Sequence, residues 1–230
     1  MISAYEYYND IYVQRKIADE CRYRECCIFK KEADDKTIPI RPIKIFKAEH
    51  LQWLIKCYNL DTHPFDLYFT NSCVRLPKLL PPTLGNNKIN QDIVNKLWNN
   101  YYAGDTPNFL TQTDLFIDID VSSPDEYPLA LTWSKQLRQS LEITFGYIQS
   151  WTTGSGGIHL IKKKISYTPQ EVELMVQKAC DEHNIPFLLG KHDVAHVDAG
   201  MYQYRRIRRC PFSIHSKTGK IMEKINIIIK

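Results

Sequence analysis

One short stretch, "LFIDID" at residues 115–120, constrains the fold of this chain most, because it sets two carboxylates in an apolar run. Side chains alternate between the faces of a β-strand, so Asp118 and Asp120 point to the same side. The isoleucines beside them point to the opposite face, which requires a hydrophobic core. Two neighbouring carboxylates repel each other unless a cation lies between them or one is protonated, and divalent metals favour carboxylate oxygens. The alternative is a strand end with one solvated carboxylate and one paired with a basic residue.

The composition is that of an ordinary globular protein without a membrane segment. Apolar residues make up 43% of the 230 residues and charged residues 24%, which is typical of soluble domains. No apolar run approaches the length of a membrane span, and the polar, aromatic opening "MISAYEYYND" is unlike a signal peptide. We therefore expect an intracellular protein with no membrane partner, located in the cytoplasm or nucleoid, or in the nucleus of a eukaryote.

The seven cysteines form no recognisable pattern. Their number is odd and no C-x-x-C occurs, so a disulfide framework is not expected in an intracellular chain of this length. The cluster of Cys21, Cys26 and Cys27 fits no zinc-ligand spacing. We therefore predict buried free thiols and no structural zinc.

Hydrophobic periodicity and capping signals divide the chain into helices and strands. Helices are predicted at 3–20, 47–60, 90–102, 124–146 and 168–184, a proline-rich loop at 75–87, and strands at 26–30, 38–46, 64–74, 147–153, 158–164 and 225–229, besides the strand with the two acids. The signal of the last helix is the clearest, since Thr168 can cap it, Pro169 suits its first position and Glu171 completes a capping box.

Strands and helices do not alternate regularly along the chain, as they would in a βαβ fold. We therefore predict an α+β fold with mostly antiparallel mixed sheets flanked by helices. The length fits a single domain over residues 1–230. Residues 1–110 would form an N-terminal lobe, and residues 111–230 would carry the acidic and phosphate-binding motifs.

A glycine-rich turn, "TTGSGGIHL" at residues 152–160, joins the two strands after the long helix. Glycines let the backbone approach a ligand closely and present N–H groups to an anion. No Lys-Ser/Thr pair follows them, so this is not a Walker A loop. His159, two residues after the glycines, can reach a phosphate bound at the turn. The alternative is a plain β-hairpin turn.

A third acid, Asp198, precedes a basic tract. From Met201 to Lys230 there are eight Lys or Arg residues against one acid, which suggests a polyanionic partner, although the block taken alone fits a solvated surface strand as well. The tract contains residue types that bind phosphate: Arg206, Arg209, Ser213, His215, Lys217 and Thr218. Three acids, a glycine turn and a basic tract together describe a metal-assisted phosphoryl-transfer site, in which two metals lie about 4 Å apart.

These motifs resemble, in order and over nearly the whole chain, those of the archaeo-eukaryotic primase superfamily and, within it, the catalytic small subunit of replicative DNA primase. "LFIDID" is similar to its D-x-D strand. "TGSGGIH" is similar to its S-G-x-x-G-x-H motif, with Thr153 in the Ser position. "VD" at Asp198 followed by "RRIRRCPFSIHSKTG" is similar to its third motif, and the segment "YYNDIY…YRECCIF…IPIRPIKIF" resembles its opening more loosely.

The resemblance implies a fold with an RRM-like catalytic core and template-directed nucleotidyl transfer that makes short RNA or DNA primers. Two Mg²⁺ or Mn²⁺ ions would be held by Asp118, Asp120 and Asp198. The incoming nucleotide would be bound by Thr153, Ser155, Gly157, His159, Arg209, Ser213, His215 and Lys217, and nucleic acid by Arg24, Arg41, Arg205 and Arg206. The implied partners are a single-stranded DNA template, nucleoside triphosphates and, as a candidate, a large primase subunit.

The chain departs from the superfamily pattern in three respects. Only about thirty residues without Cys or His separate the first two motifs, so no zinc insertion is expected there. Gly156 stands where the family often has Arg or Lys, so one phosphate or template contact is missing or comes from elsewhere. The chain stops soon after the basic tract, which leaves a minimal catalytic core. A replicative, mobile-element or repair role therefore stays open.

Two other function classes fit parts of the sequence. A nucleic-acid-binding module or accessory subunit would use the basic tract and aromatic residues such as Tyr101, Tyr102 and Tyr204 to bind single strands, but would not incorporate nucleotides. A metal-dependent nuclease would use the acids for hydrolysis. The phosphate-binding tract disfavours the nuclease, because strand hydrolysis needs no triphosphate pocket. A repair polymerase that needs a partner to initiate is a further alternative.

Overall fold

The computed structural model describes residues 4–32, 36–74, 110–204 and 206–227. The predicted loop 75–87, the predicted helix 90–102 and Arg205 lie outside these residues. Within the described ranges, no helix combines the length and apolar character needed to cross a membrane.

Five α-helices occur in the part of the chain that the structure describes. They are α1 (Ala4–Asn9), α2 (Ile11–Cys21), α3 (Ala48–Cys57), α4 (Tyr127–Phe145) and α5 (Pro169–Glu182), and short 3₁₀ helices span Pro124–Glu126 and Ala199–Met201. The prediction of one helix over 3–20 is wrong, because Asp10 interrupts it and caps α2 by accepting the Tyr12 N–H at 2.7 Å. The capping box predicted at the start of α5 is confirmed, with reciprocal bonds between Thr168 and Glu171.

Eleven strands form two sheets within the described residues. They are β1 (Cys26–Lys31), β2 (Thr37–Ile43), β3 (Phe65–Thr70), β4 (Ser72–Val74), β5 (Leu110–Asp120), β6 (Gln149–Thr152), β7 (Ile158–Ile165), β8 (Phe187–Leu188), β9 (His196–Asp198), β10 (Ile207–Arg209) and β11 (Lys224–Ile225). The first sheet has the order β10-β3-β1-β2, and the second has β11-β6-β7-β5-β9-β8, with β4 also paired to β5. All pairs except β8–β9 are antiparallel. The predicted α+β class is confirmed.

Two strand predictions need correction. The segment 64–74, predicted as one strand, divides at Asn71 into β3 of the first sheet and β4 of the second. The division occurs because Asn71 bonds elsewhere: its N–H donates to the Arg206 carbonyl at 3.0 Å and its carbonyl accepts from Asp114 N–H at 3.2 Å. The strand predicted at 225–229 overlaps β11 (Lys224–Ile225) only at Ile225; residues 226–227 are not in a strand, and 228–229 lie outside the described residues.

Each sheet has its own hydrophobic core. The second sheet packs against α4 and α5, and Ile117 and Ile119 are fully buried there, as the apolar face of their strand requires. The first sheet packs against α1, α2 and α3, with the thiols of Cys21 and Cys26 inside. The first core includes Cys210, and β10 completes the first sheet, so the C-terminal part of the chain contributes to both layers.

A buried ionic group joins the two sheets. Asp114 of β5 accepts from the guanidinium of Arg24 at 2.7 Å and from that of Arg208 at 2.9 Å, and all three side chains are nearly inaccessible to solvent. Arg24 also donates to the carbonyls of Thr70 and Asn71, each at 2.8 Å. In this position Arg24 supports the fold, and it is not at the surface where nucleic acid would contact it.

Candidate active site

Three carboxylates meet at neighbouring strand ends in the second sheet. Asp118 and Asp120 come from the end of β5, and Asp198 comes from the end of β9, which pairs with β5 through Ile119 and Asp120. One carboxylate oxygen of each acid lies within 4.8 Å of the others. The structure thus brings together the three acids that the sequence singled out, although they are up to eighty residues apart in the chain.

The charges of this triad are poorly compensated. Burial, together with the charges of Asp118 and Asp198, raises the pKa of Asp120 to about 7, against the opposing effect of His196. Asp118 Oδ1 is buried and lies 3.1 Å from His159 Nε2, but the two are not aligned as a hydrogen bond, and no other partner occurs among the described residues. Asp118 Oδ1, a buried oxygen without a hydrogen-bond partner in the described part of the chain, and Asp120, with its raised pKa, fit a site for hard divalent cations.

The third acid is held in place by its own loop. Asp198 Oδ1 accepts from the Gly200 N–H at 2.8 Å, and Oδ2 lies 3.6 Å from Arg206 Nη2. A Cβ atom on Gly200 would lie 3.0 Å from Asp198 Oδ1. A glycine at position 200 therefore avoids a steric clash with the Asp198 carboxylate.

His196 is held beside the triad by two backbone carbonyls. This histidine is buried, and its backbone pairs with Asp120 across β5 and β9. Its Nδ1 lies 2.9 Å from the Val194 carbonyl and its Nε2 lies 2.9 Å from the Gly190 carbonyl. The two carbonyls therefore fix the orientation of the imidazole ring next to Asp120.

The raised pKa of Asp120 leads to a stability prediction for the metal-free protein. The pKa is about 7 in the folded chain against an ordinary value of 3.8 for this side chain, so the free energy of unfolding falls as pH rises between these values. The isosteric, neutral Asp120→Asn chain should lack this loss. In chelator at pH 8 we expect it to be more stable than wild type by at least about 1.4 kcal/mol, or roughly 3–6 °C in melting temperature. Thermal unfolding followed by circular dichroism from pH 4 to 8 tests this, and parallel profiles for both proteins would contradict it.

The glycine turn connects β6 and β7 and lies directly against the acidic strand. Gly154 and Gly156 have φ values of +79° and +120°, which favour glycine. A Cβ atom on Gly157 would lie 2.7 Å from the Ile119 carbonyl, so this close approach requires glycine. The hydroxyls of Thr153 and Ser155 lie 2.8 Å apart at the turn. The segment is therefore a hairpin turn, and it also places two hydroxyls beside the acids.

A cleft of about 740 Å³ collects most of the predicted site residues. It is lined by Asp118, Asp120, Asp198, Thr153, Ser155, His159, Arg41, Arg206, Arg209 and His215, among others. Gly157, Ser213, Lys217 and Arg24 are not among its lining residues. Ser213 is fully buried and its hydroxyl donates to the Cys210 carbonyl at 2.7 Å, whereas Lys217 is exposed.

Arg209 of the tract and Arg41, which was predicted to contact nucleic acid, are already engaged with protein groups. Arg209 donates to Asp66 at 2.8 Å and to the Tyr68 hydroxyl at 3.1 Å. Arg41 pairs with Glu25. Burial and the positive charges of Arg209 and Lys217 lower the pKa of His215, so its imidazole is neutral near neutral pH.

Sequence reasoning missed the part of the cleft that comes from the first sheet. Phe29 of β1 and Tyr68 of β3 line the cleft with their rings 5.2 Å apart, and Asp66 lies behind Arg209. Asp66 and Tyr68 are two positions apart in β3 and therefore share a face. An acid in the apolar strand "FDLYFT" is the same signal as that of Asp118, and it was available in the sequence.

Comparison with known proteins gives a likeness in fold. No family model matches the chain, and no curated protein matches it in sequence. Among solved structures, the polymerase domain of Mycobacterium tuberculosis Ligase D, in complex with DNA, superimposes with a TM-score of 0.66 at 11% sequence identity. The match covers 98% of this chain and 81% of that one. The two chains therefore share a fold over nearly the full length of this one.

Proposed function

We propose that this chain is a metal-dependent nucleotidyltransferase of the archaeo-eukaryotic primase superfamily that adds nucleotides to a strand opposite a template. One observation carries the proposal: the three acids face the same 740 Å³ cleft as the glycine turn, Arg209 and His215. In this arrangement, carboxylates that can bind metal ions face side chains that can bind phosphate. The shared fold with a polymerase domain that was solved with DNA supports it.

In this proposal Asp118, Asp120 and Asp198 hold two Mg²⁺ or Mn²⁺ ions. When bound, such ions activate an attacking hydroxyl and neutralise the charge of a triphosphate. The protein's own part is to fix the ligands: the Gly200 N–H orients Asp198, and β7 sets His159 opposite Asp118. In this proposal His159, which lines the cleft with its Nε2 3.1 Å from Asp118 Oδ1, contacts a phosphate oxygen next to the metal ligands.

The nucleotide would lie between the glycine turn and the basic tract. Thr153, Ser155, His159, Arg209 and His215 all line the cleft and can contact its phosphates. Lys217 would act from the exposed end of its loop, and Gly157 and Ser213 would shape the backbone without direct contact. Positioning and charge neutralisation carry most of the rate in such phosphoryl transfers.

The template strand would enter along the cleft edge formed by Arg41 and Arg206, which both line it. The finer proposal is synthesis of RNA or DNA primers on single-stranded DNA from nucleoside triphosphates, alone or with a large primase subunit. A free 3′ end, if supplied, would be extended by the same chemistry.

The test is to incubate the purified protein with single-stranded DNA, with and without an annealed primer, in Mg²⁺ or Mn²⁺. Labelled ribo- and deoxyribonucleotides are supplied in parallel. New strands without a primer would support a primase, and extension of the primer only would support a polymerase that needs a partner to initiate. Strand binding without incorporation would overturn the proposal in favour of an accessory binding subunit, and strand degradation would favour a nuclease.

A further inference from the structure

Asp66 is a buried acid near the start of β3, and it lies behind the phosphate-binding side of the cleft. Its Oδ1 accepts from Arg209 Nη1 at 2.8 Å and from the Ser216 N–H at 2.8 Å. Its Oδ2 accepts from the Ser216 hydroxyl at 2.6 Å. One carboxylate thus holds both a cleft arginine and the backbone next to His215.

The carboxylate is ionised at neutral pH. Burial alone would raise the pKa of Asp66, but the Arg209 guanidinium and the Ser216 hydrogen bonds outweigh burial and lower it. The pair with Arg209 is therefore a true ion pair with two further hydrogen bonds on the acid, which is the kind of geometry that fixes a guanidinium plane.

Arg209 retains donors for a ligand in this arrangement. Its Nη1 is used by Asp66 and by the Ile214 carbonyl at 3.2 Å, and its Nη2 donates to the Tyr68 hydroxyl. These contacts use three of the five guanidinium hydrogens. Among the described residues, the other two have no partner, and the residue lines the cleft.

The loop beyond Ser216 is tied to the glycine turn on its other side. The Thr218 hydroxyl donates to the Gly154 carbonyl at 2.8 Å, and the His215 N–H donates to the Lys220 carbonyl at 2.8 Å. Asp66 therefore links Arg209 to Ser216, and the same loop is hydrogen-bonded to Gly154 through Thr218.

We infer that Asp66 is a positioning residue that aligns Arg209 and the His215–Lys217 loop as one unit for the triphosphate end of the incoming nucleotide. The inference rests on the proposed function. Asp66 does not contact the nucleotide itself, and it acts by fixing the residues that do.

Simple electrostatics makes the opposite prediction. Removing Asp66 would free the full charge of Arg209, which by charge alone should tighten the binding of a triphosphate. Loss of positioning should instead weaken it, because misplaced donors no longer meet the phosphate oxygens. The direction of the change therefore separates the two effects.

The experiment measures Mn²⁺-ATP and Mn²⁺-AMP binding by isothermal titration calorimetry for wild type, Asp66→Ala and Asp66→Asn. We expect Asp66→Ala to weaken ATP binding about 10- to 100-fold, the range typical of lost support behind ligating side chains. AMP binding should change less than about 3-fold, because AMP lacks the distal phosphates. Asp66→Asn keeps the acceptor oxygen and should lie in between. Asp61→Ala, on the exposed surface before β3, is the control and should match wild type.

Several outcomes would overturn the inference. ATP binding that is unchanged or tighter in Asp66→Ala would do so, as would equal losses for ATP and AMP, which a general loss of structure produces. If Asp66→Ala does not fold, as judged by its thermal unfolding, Asp66→Asn alone must still show the larger loss for ATP. A wild-type chain that binds neither nucleotide would contradict the proposed function itself. The experiment therefore distinguishes failure of the proposed function from failure of the inference about Asp66.

Discussion

Replacing Asp118 with alanine is expected to reduce nucleotide incorporation at least about 10³-fold, which corresponds to about 4 kcal/mol of transition-state stabilisation. Asp118 supplies one of three carboxylates within 4.8 Å of one another, and its Oδ1 has no hydrogen-bond partner among the described residues. In the proposed site, its removal would leave two carboxylates, too few to hold two metal ions. The measurement is the rate of labelled nucleotide incorporation in Mn²⁺ with saturating template.

Two controls show whether this loss is specific. Asp125→Ala removes an exposed acid shortly after the same strand and should leave the rate unchanged. Asp118→Ala should also raise the melting temperature of the metal-free protein, because burial and the Asp118 charge together raise the pKa of Asp120 and the substitution removes that charge. Nucleotide incorporation at the wild-type rate by Asp118→Ala would contradict the proposal that Asp118 binds a catalytic metal.

Replacing Asp114 with alanine is expected to destabilise the protein by about 3–5 kcal/mol, the usual cost of removing one partner from a buried ion pair. Asp114 compensates two buried guanidiniums, those of Arg24 and Arg208, and its Oδ1 accepts from the Lys164 N–H at 3.0 Å. Burial already lowers the pKa of Arg208. Without the carboxylate, two positive charges would remain at the junction of the sheets. Urea unfolding at neutral pH gives the measurement.

The matched control for Asp114 is Asp19→Ala. Asp19 pairs with Arg22 at 3.2 Å, but both side chains are more than half exposed, so its removal should change the free energy of unfolding by less than about 0.5 kcal/mol. If Asp114→Ala does not fold, Asp114→Asn should fold with a smaller loss, since it keeps an acceptor. A loss below about 1 kcal/mol in either variant would mean that the arginines are compensated in another way.

Most of the helices and strands were predictable because their signals are local. The capping box of α5 lies within four residues, and the alternation in β5 lies within one strand. The errors came where a local signal was overlooked or overridden. Asp10 caps a new helix inside the predicted one, and Asn71 bonds to distant backbone groups and divides a predicted strand.

The candidate site was predictable in its acids and only partly in its cations. Asp118, Asp120 and Asp198 are identified by an acid after an apolar strand, and the structure groups them. Among the four arginines assigned to nucleic acid, Arg41 and Arg206 line the cleft, whereas Arg24 is buried beside Asp114. An arginine in a sequence does not show whether its partner is a ligand or a buried carboxylate, since both satisfy the same donors.

The sequence alone determined that Asp118 and Asp120 share one face of a strand, because side-chain alternation is a property of the local backbone. It also determined the order of the acidic, glycine and basic motifs. Only the tertiary structure decided that Asp66 holds Arg209 and that Asp114 holds Arg24 and Arg208, pairs separated by 143, 90 and 94 residues. Such contacts depend on which strands become neighbours and which surfaces pack together. The arrangement of the strands depends on the burial of apolar surface over both sheets, and it cannot be read from any short segment of the sequence.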